Sequence, residues 1–151
     1  MIKKNYVPFN YLPYEFKNPD KIISEWKDLI KSSDFTLGKY VVEFENIFKK
    51  YIGAKYCIAT NNGTDALILC LKSLGIKTGD EVITVCNSFY ATAGAIAAVG
   101  AKPIFVDCDD RFQINIKMIE SKITKKTKAL LPVHWGGASP DMTAICNIAK
   151  K

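Results

Sequence analysis

The chain is poor in the residues on which several common chemistries depend. It has one histidine, His134, and one arginine, Arg111, among 151 residues. Five cysteines are scattered at 57, 70, 86, 108 and 146, with no CxxC pair. A zinc site therefore lacks its usual ligand spacing, and no metal is expected. There is no GxGxxG, no GxxxxGK(S/T) and no GxSxG nucleophile elbow, so dinucleotide, triphosphate and α/β-hydrolase fingerprints are missing. A Ser-His-Asp triad would have to use His134, and no serine stands on a suitable turn. No stretch approaches the roughly 18 apolar residues of a membrane span. Two lysines near the start are not followed by an apolar stretch, so no signal peptide is expected and a cytoplasmic setting is.

What is present suits a compact domain or a piece of a larger protein. The hydrophobic share is 48%, enough for a real core. Cys57, Cys70 and Cys86 lie in apolar surroundings and read as small core residues of a reduced protein. The net charge of +6 raises the question of nucleic acid. Nearly all of the basic residues are dispersed lysines, which suit solvated helix faces, so no nucleic-acid partner is expected.

Residues 1–17 read as extended, with prolines at 8 and 13. Asn18, Pro19 and Asp20 form a helix start, with Asn18 as the cap and a helix running to about Lys31. Val41, Phe44, Phe48 and Tyr51 recur at helical spacing up to Gly53. Strands and helices then alternate. Strands are expected at 55–59, 81–85, 103–106 and 128–133, and helices at 65–74, 89–99, 116–123 and 140–150. The strands are nearly continuous apolar runs, as when both faces are covered. The pattern predicts an α/β layer with mostly parallel pairing.

Thr60 to Leu67 (TNNGTDAL) is the most informative segment. A strand-like run, a polar turn and a helix start make a candidate anion cradle, because free N–H groups and the helix dipole favour negative charge. A tight turn capped by Asn or Thr is the plainer reading. Other loops on the carboxyl edge of such a sheet carry Asn87, Ser88, Phe89, Asp107, Asp109, His134 and Trp135. The aspartates read more readily as turn and cap residues than as metal ligands.

Six motifs in order then carry a resemblance: NNGTDAL from Asn61, LGIKTGDEVI from Leu74, NSFYATA from Asn87, GAKPIFVD from Gly100, KTKALLPVHWGG from Lys126 and DMTAI from Asp141. Together with FTLGKYVVEFE from Phe35 they resemble the DegT/DnrJ/EryC1/StrS family of pyridoxal-phosphate-dependent sugar aminotransferases, from about residue 7 onward. The resemblance implies a three-layer α/β fold with a mostly parallel sheet, the large domain of aspartate aminotransferase (fold type I), here incomplete. It divides the chain into an N-terminal extended segment with helices over 1–53 and the first part of the cofactor-binding domain over 54–151, with the small C-terminal domain absent.

The implied cofactor is pyridoxal 5′-phosphate. Thr64 and the backbone from Gly63 to Asp65 match the phosphate cradle, and Phe89 matches the aromatic that stacks on the ring. A core aromatic at a helix start is the alternative for Phe89. Ser88 and Thr92 beside it read equally as capping and packing residues. His134 falls near the implied active site, with a structural or a catalytic role equally open. Residues 34–40 match a stretch close to the sugar site.

The implied partners are a nucleotide-linked keto-sugar and an amino donor, usually glutamate, in a homodimer. Members of the family run to more than twice this length. The aspartate that pairs with the pyridine nitrogen and the Schiff-base lysine are expected beyond residue 151, so this chain is expected to be an inactive N-terminal fragment. The alternative is a non-catalytic binding or regulatory protein, or a sugar-dehydratase relative, that keeps the phosphate cradle.

Overall fold

The computed structural model describes residues 9–151. The chain divides between Ala59 and Thr60 into two units. The expected extended start at 1–8 lies outside the described residues. Within 9–17 a single helical turn, α1 (Leu12–Glu15), replaces extended chain, with Pro13 in its first turn. A proline there gives up no hydrogen bond, since the first N–H groups of a helix are unpaired anyway.

In the first unit, α2 (Asp20–Ser32) starts one residue later than Asn18 would place it. Pro19 holds the cap position, and no side chain accepts from the first turn. The helix α3 (Lys39–Ile52) is begun by Gly38 and ended by Gly53, whose φ of 70° is left-handed and free of a Cβ penalty. Phe44 and Phe48, one turn apart, stack at 5.4 Å. Residues 55–59 form no strand. An apolar run becomes a strand only when a neighbour offers a ladder, and among the described residues none does.

The second unit alternates as the pattern predicts: α4 (Gly63–Ser73), β1 (Glu81–Val85), α5 (Ala91–Ala98), β2 (Lys102–Val106), α6 (Ile116–Ile119), β3 (Thr127–Leu131) and α7 (Met142–Lys150). The expected helix at 116–123 tightens after Ile119 into a 3₁₀ turn, Glu120–Lys122. The strands form a three-stranded sheet in the order β2-β1-β3, parallel throughout.

Side chains of β1 alternate between two hydrophobic clusters. Val82 packs with Leu71, Ala95 and Ile96 from α4 and α5. Ile83 and Val85 pack with Val106, Ile119 and Ile145 on the other face, toward α6 and α7. Helices thus cover both faces, which explains the continuous apolar strands and gives three layers. Thr84 is the polar exception in β1. It is fully buried, and its hydroxyl donates to the Leu131 carbonyl at 2.8 Å, so the core holds no orphan there. Cys70 and Cys86 are exposed and Cys57 is half-buried, so the expectation of core cysteines fails. An apolar sequence neighbourhood does not fix which face of a helix or which end of a strand a residue occupies.

Candidate functional site

Because the sheet is parallel, the carboxyl ends of its strands share one edge, where ligands of open α/β sheets bind. There, Asn62, Gly63, Thr64, Leu67, Ser88, Phe89, Ala91, Thr92, Val133 and Trp135 line an open cleft of about 500 Å³.

One wall is the start of α4. Asn62 Oδ1 accepts from the Asp65 N–H at 2.9 Å, and Asn62 Nδ2 donates to Asp65 Oδ2 at 3.0 Å. The Asn62 carbonyl takes the Ala66 N–H. This reciprocal pair satisfies the helix start much as a capping box does. It leaves the N–H groups of Gly63 and Thr64 and the Thr64 hydroxyl without protein partners among the described residues. A Cβ placed on Gly63 would meet no protein atom within 4 Å. Its lack of a side chain therefore keeps the cleft open and relieves no crowding.

The opposite wall comes from the β1–α5 connection. Phe89 is 64% exposed, which removes the core-aromatic reading. Its ring leans on Tyr90 with centroids 4.3 Å apart. The Ser88 and Thr92 hydroxyls are 2.7 Å from each other, and Thr92 is buried, so they serve each other at the start of α5. The third side is Val133 and Trp135, which follow β3.

The structure thus gathers Gly63, Thr64, Ser88 and Phe89 around one space. Asp65 is outside the lining, with its N–H and its carboxylate both engaged in the cap. His134 is exposed between two lining residues and is not itself in the wall. Leu67, Ala91 and Val133 line the cleft without a sequence signal, because small and apolar residues look the same in core and cleft.

Asp107 and Asp109 act as turn residues. Asp107 Oδ1 accepts from the Cys108 N–H at 2.8 Å. Asp109 Oδ1 accepts from the N–H groups of Arg111 at 2.9 Å and Gln113 at 3.0 Å. The bond from Gln113, then the bond and charge of Arg111, hold the Asp109 carboxyl below its ordinary range against the opposing effect of burial. Burial and then the Asp107 charge push the Cys108 thiol up, away from a reactive thiolate.

A carboxyl whose folded value is lowered stabilises the fold above its unfolded value, and this is lost as pH falls through the folded value. Acidification below about pH 4 should loosen the 107–115 loop. Carbon-detected NMR titration of Asp109 checks this. A titration midpoint at or above that of a model peptide would refute it.

The fold and cleft define an α/β domain with a ligand-sized cleft at the carboxyl edge of a parallel sheet. The sequence profile of the DegT/DnrJ/EryC1/StrS aminotransferase family matches residues 17–151. The chain belongs to that family. It is 45% identical over 139 residues to a pleiotropic regulatory protein of Geobacillus stearothermophilus, covering 91% of this chain and 37% of that one. It is 41% identical over 133 residues to the UDP-2-acetamido-2-deoxy-3-oxo-D-glucuronate aminotransferase of Pseudomonas aeruginosa, covering 87% and 37%. The crystal structure of NtdA from Bacillus subtilis with bound cofactor PMP superposes with a TM-score of 0.89 at 39% identity, over 95% of this chain and 34% of that one. The chain therefore spans little more than a third of the length of these relatives.

Proposed function

We propose that the cleft binds pyridoxal 5′-phosphate and that the whole protein transfers an amino group, from glutamate, to a keto group of a nucleotide-linked sugar. The observation that carries this reading is the pairing of unsatisfied donors at Gly63 and Thr64 with the exposed ring of Phe89 across one cleft. A phosphate suits the first and a flat aromatic ring the second. Family membership and the PMP bound to NtdA support the choice of ligand. The sugar-aminotransferase name of the Pseudomonas relative supports the substrate class.

Bound there, the cofactor supplies an electron sink for the substrate carbon. The chain's own part is to bind and orient. Gly63 and Thr64 would hold the phosphate, Phe89 would flank the ring, and Val133 with Trp135 would exclude water from the third side. No lysine lines the cleft among the described residues, so this chain by itself is proposed to bind the cofactor without turning substrate over. We assign the complete enzyme to the cytoplasm as a homodimer.

Titration of the chain with pyridoxal phosphate, followed by tryptophan fluorescence, tests the reading. Phe89→Ala should weaken binding about tenfold, by loss of stacking and contact area. It should leave the melting temperature nearly unchanged because the ring is exposed. Equal affinity for the variant and the parent would remove Phe89 from the site.

The name of the Geobacillus relative favours one second reading, a regulatory protein that binds the same ligand without transfer. Glutamate added to the complete, cofactor-loaded protein separates the two. Conversion of the bound cofactor to its amino form supports the transferase.

A further inference from the structure

We propose that Gln113, which is not itself in the cleft lining, is a positioning residue that fixes Trp135 as the third wall of the cleft. The inference rests on the reading of the cleft as a pyridoxal phosphate site. Gln113 is 2% exposed, yet it belongs to the loop that follows β2. Its Nε2 donates to the Trp135 carbonyl at 3.2 Å and to the Arg111 carbonyl at 3.4 Å. Two carbonyl acceptors settle which end of the amide carries nitrogen. The Trp135 carbonyl also accepts from the Ala138 N–H at 3.1 Å, so it is held from two sides.

The loop is built to deliver this side chain. Cys108 and Ile114 form an antiparallel bridge, and the Asp109 N–H donates to the Gln113 carbonyl at 2.8 Å. Asp109 Oδ1 receives the Gln113 N–H in return. Phe112, just before it, sits at φ 62°, a left-handed conformation that a non-glycine residue adopts at a cost. Backbone strain next to a buried amide shows that the surrounding bonds over-determine its placement.

Gln113 Oε1 is buried without a partner among the described residues. An apolar side chain would avoid this unmet acceptor at the loss of the two donated bonds. The amide is explained by what its nitrogen holds, the segment that carries Trp135 into the cleft. The β2 loop and the β3 loop share an apolar cluster through Ile114 and Val133, and Gln113 adds a hydrogen bond between them across 22 residues of sequence.

The test uses the 151-residue chain carrying Trp26→Phe, which leaves Trp135 as its only tryptophan. Gln113→Met keeps the length of the side chain and removes the donor. Acrylamide quenching of Trp135 should rise about twofold or more, and pyridoxal phosphate should bind about tenfold more weakly, the loss of one hydrogen bond. The melting temperature should hold, because the orphan acceptor leaves with the donor. A merely structural glutamine would instead lower the melting temperature and leave quenching unchanged well below it.

Unchanged quenching overturns the proposal. So does raised quenching with unchanged affinity, which would separate Trp135 order from ligand binding. If the Trp26→Phe parent binds no pyridoxal phosphate, the cofactor reading fails, and with it the role of Gln113 toward a ligand. The quenching result still decides whether Gln113 orders Trp135. Should the methionine variant not fold, Gln113→Leu removes the donor without burying a charge and is read in the same way.

Discussion

Thr64→Ala should weaken pyridoxal phosphate binding by about ten- to a hundredfold. The hydroxyl is half-buried in the cleft wall and has no protein partner among the described residues. A hydrogen bond to a charged phosphate contributes about 1.5–3 kcal/mol, which sets that range. The fold should not suffer, since alanine is the better helix former and Thr64 belongs to neither buried cluster. Calorimetric titration gives the affinity, and two control ligands locate the effect. Inorganic phosphate should lose affinity in parallel, while pyridoxal, which has no phosphate, should bind parent and variant alike. Equal loss for pyridoxal would place Thr64 at the ring and not at the phosphate.

Ile83→Ala should cost about 2–5 kcal/mol of stability, the range for emptying a well-packed core site. Ile83 is fully buried in the central strand and packs with Val85, Val106, Ile119 and Ile145. Parallel ladders on both sides hold β1 in place, so the strand itself cannot shift to refill the space. For a unit of this size the melting temperature should fall by about 10 °C or more. Thermal and urea unfolding followed by circular dichroism measure it. A loss under about 1 kcal/mol would mean that the face toward α6 and α7 is loosely packed.

The second unit was legible because its signals are local. Gly75 and Gly100 mark helix ends with φ of 76° and 80°, and β1 spans the expected residues 81–85. The strand expected at 55–59 was misread because pairing is decided by distant chain. In the cleft, Gly63, Thr64, Ser88, Phe89 and Trp135 were visible as polar or aromatic residues on loops of one sheet edge. Asp65 looked like part of the cradle because the free N–H groups of a helix start look equivalent in sequence. The Asn62 cap that removes one of them depends on a rotamer. Gln113 gave no signal, since its role depends on the left-handed turn at Phe112 and on a loop 22 residues away.

The reciprocal pair of Asn62 and Asp65 has a consequence for how this site can change over generations. Because the cap closes the helix start with side chains of its own, α4 does not need an anion to stay wound. On the reading proposed for the cleft, substitutions at Gly63 and Thr64 would fall on ligand affinity and not on the cap. A lineage can drift at those two positions, lose its ligand or exchange it, and still inherit an intact scaffold. Catalytic and non-catalytic descendants of one fold can diverge through such a turn without passing through an unfolded ancestor.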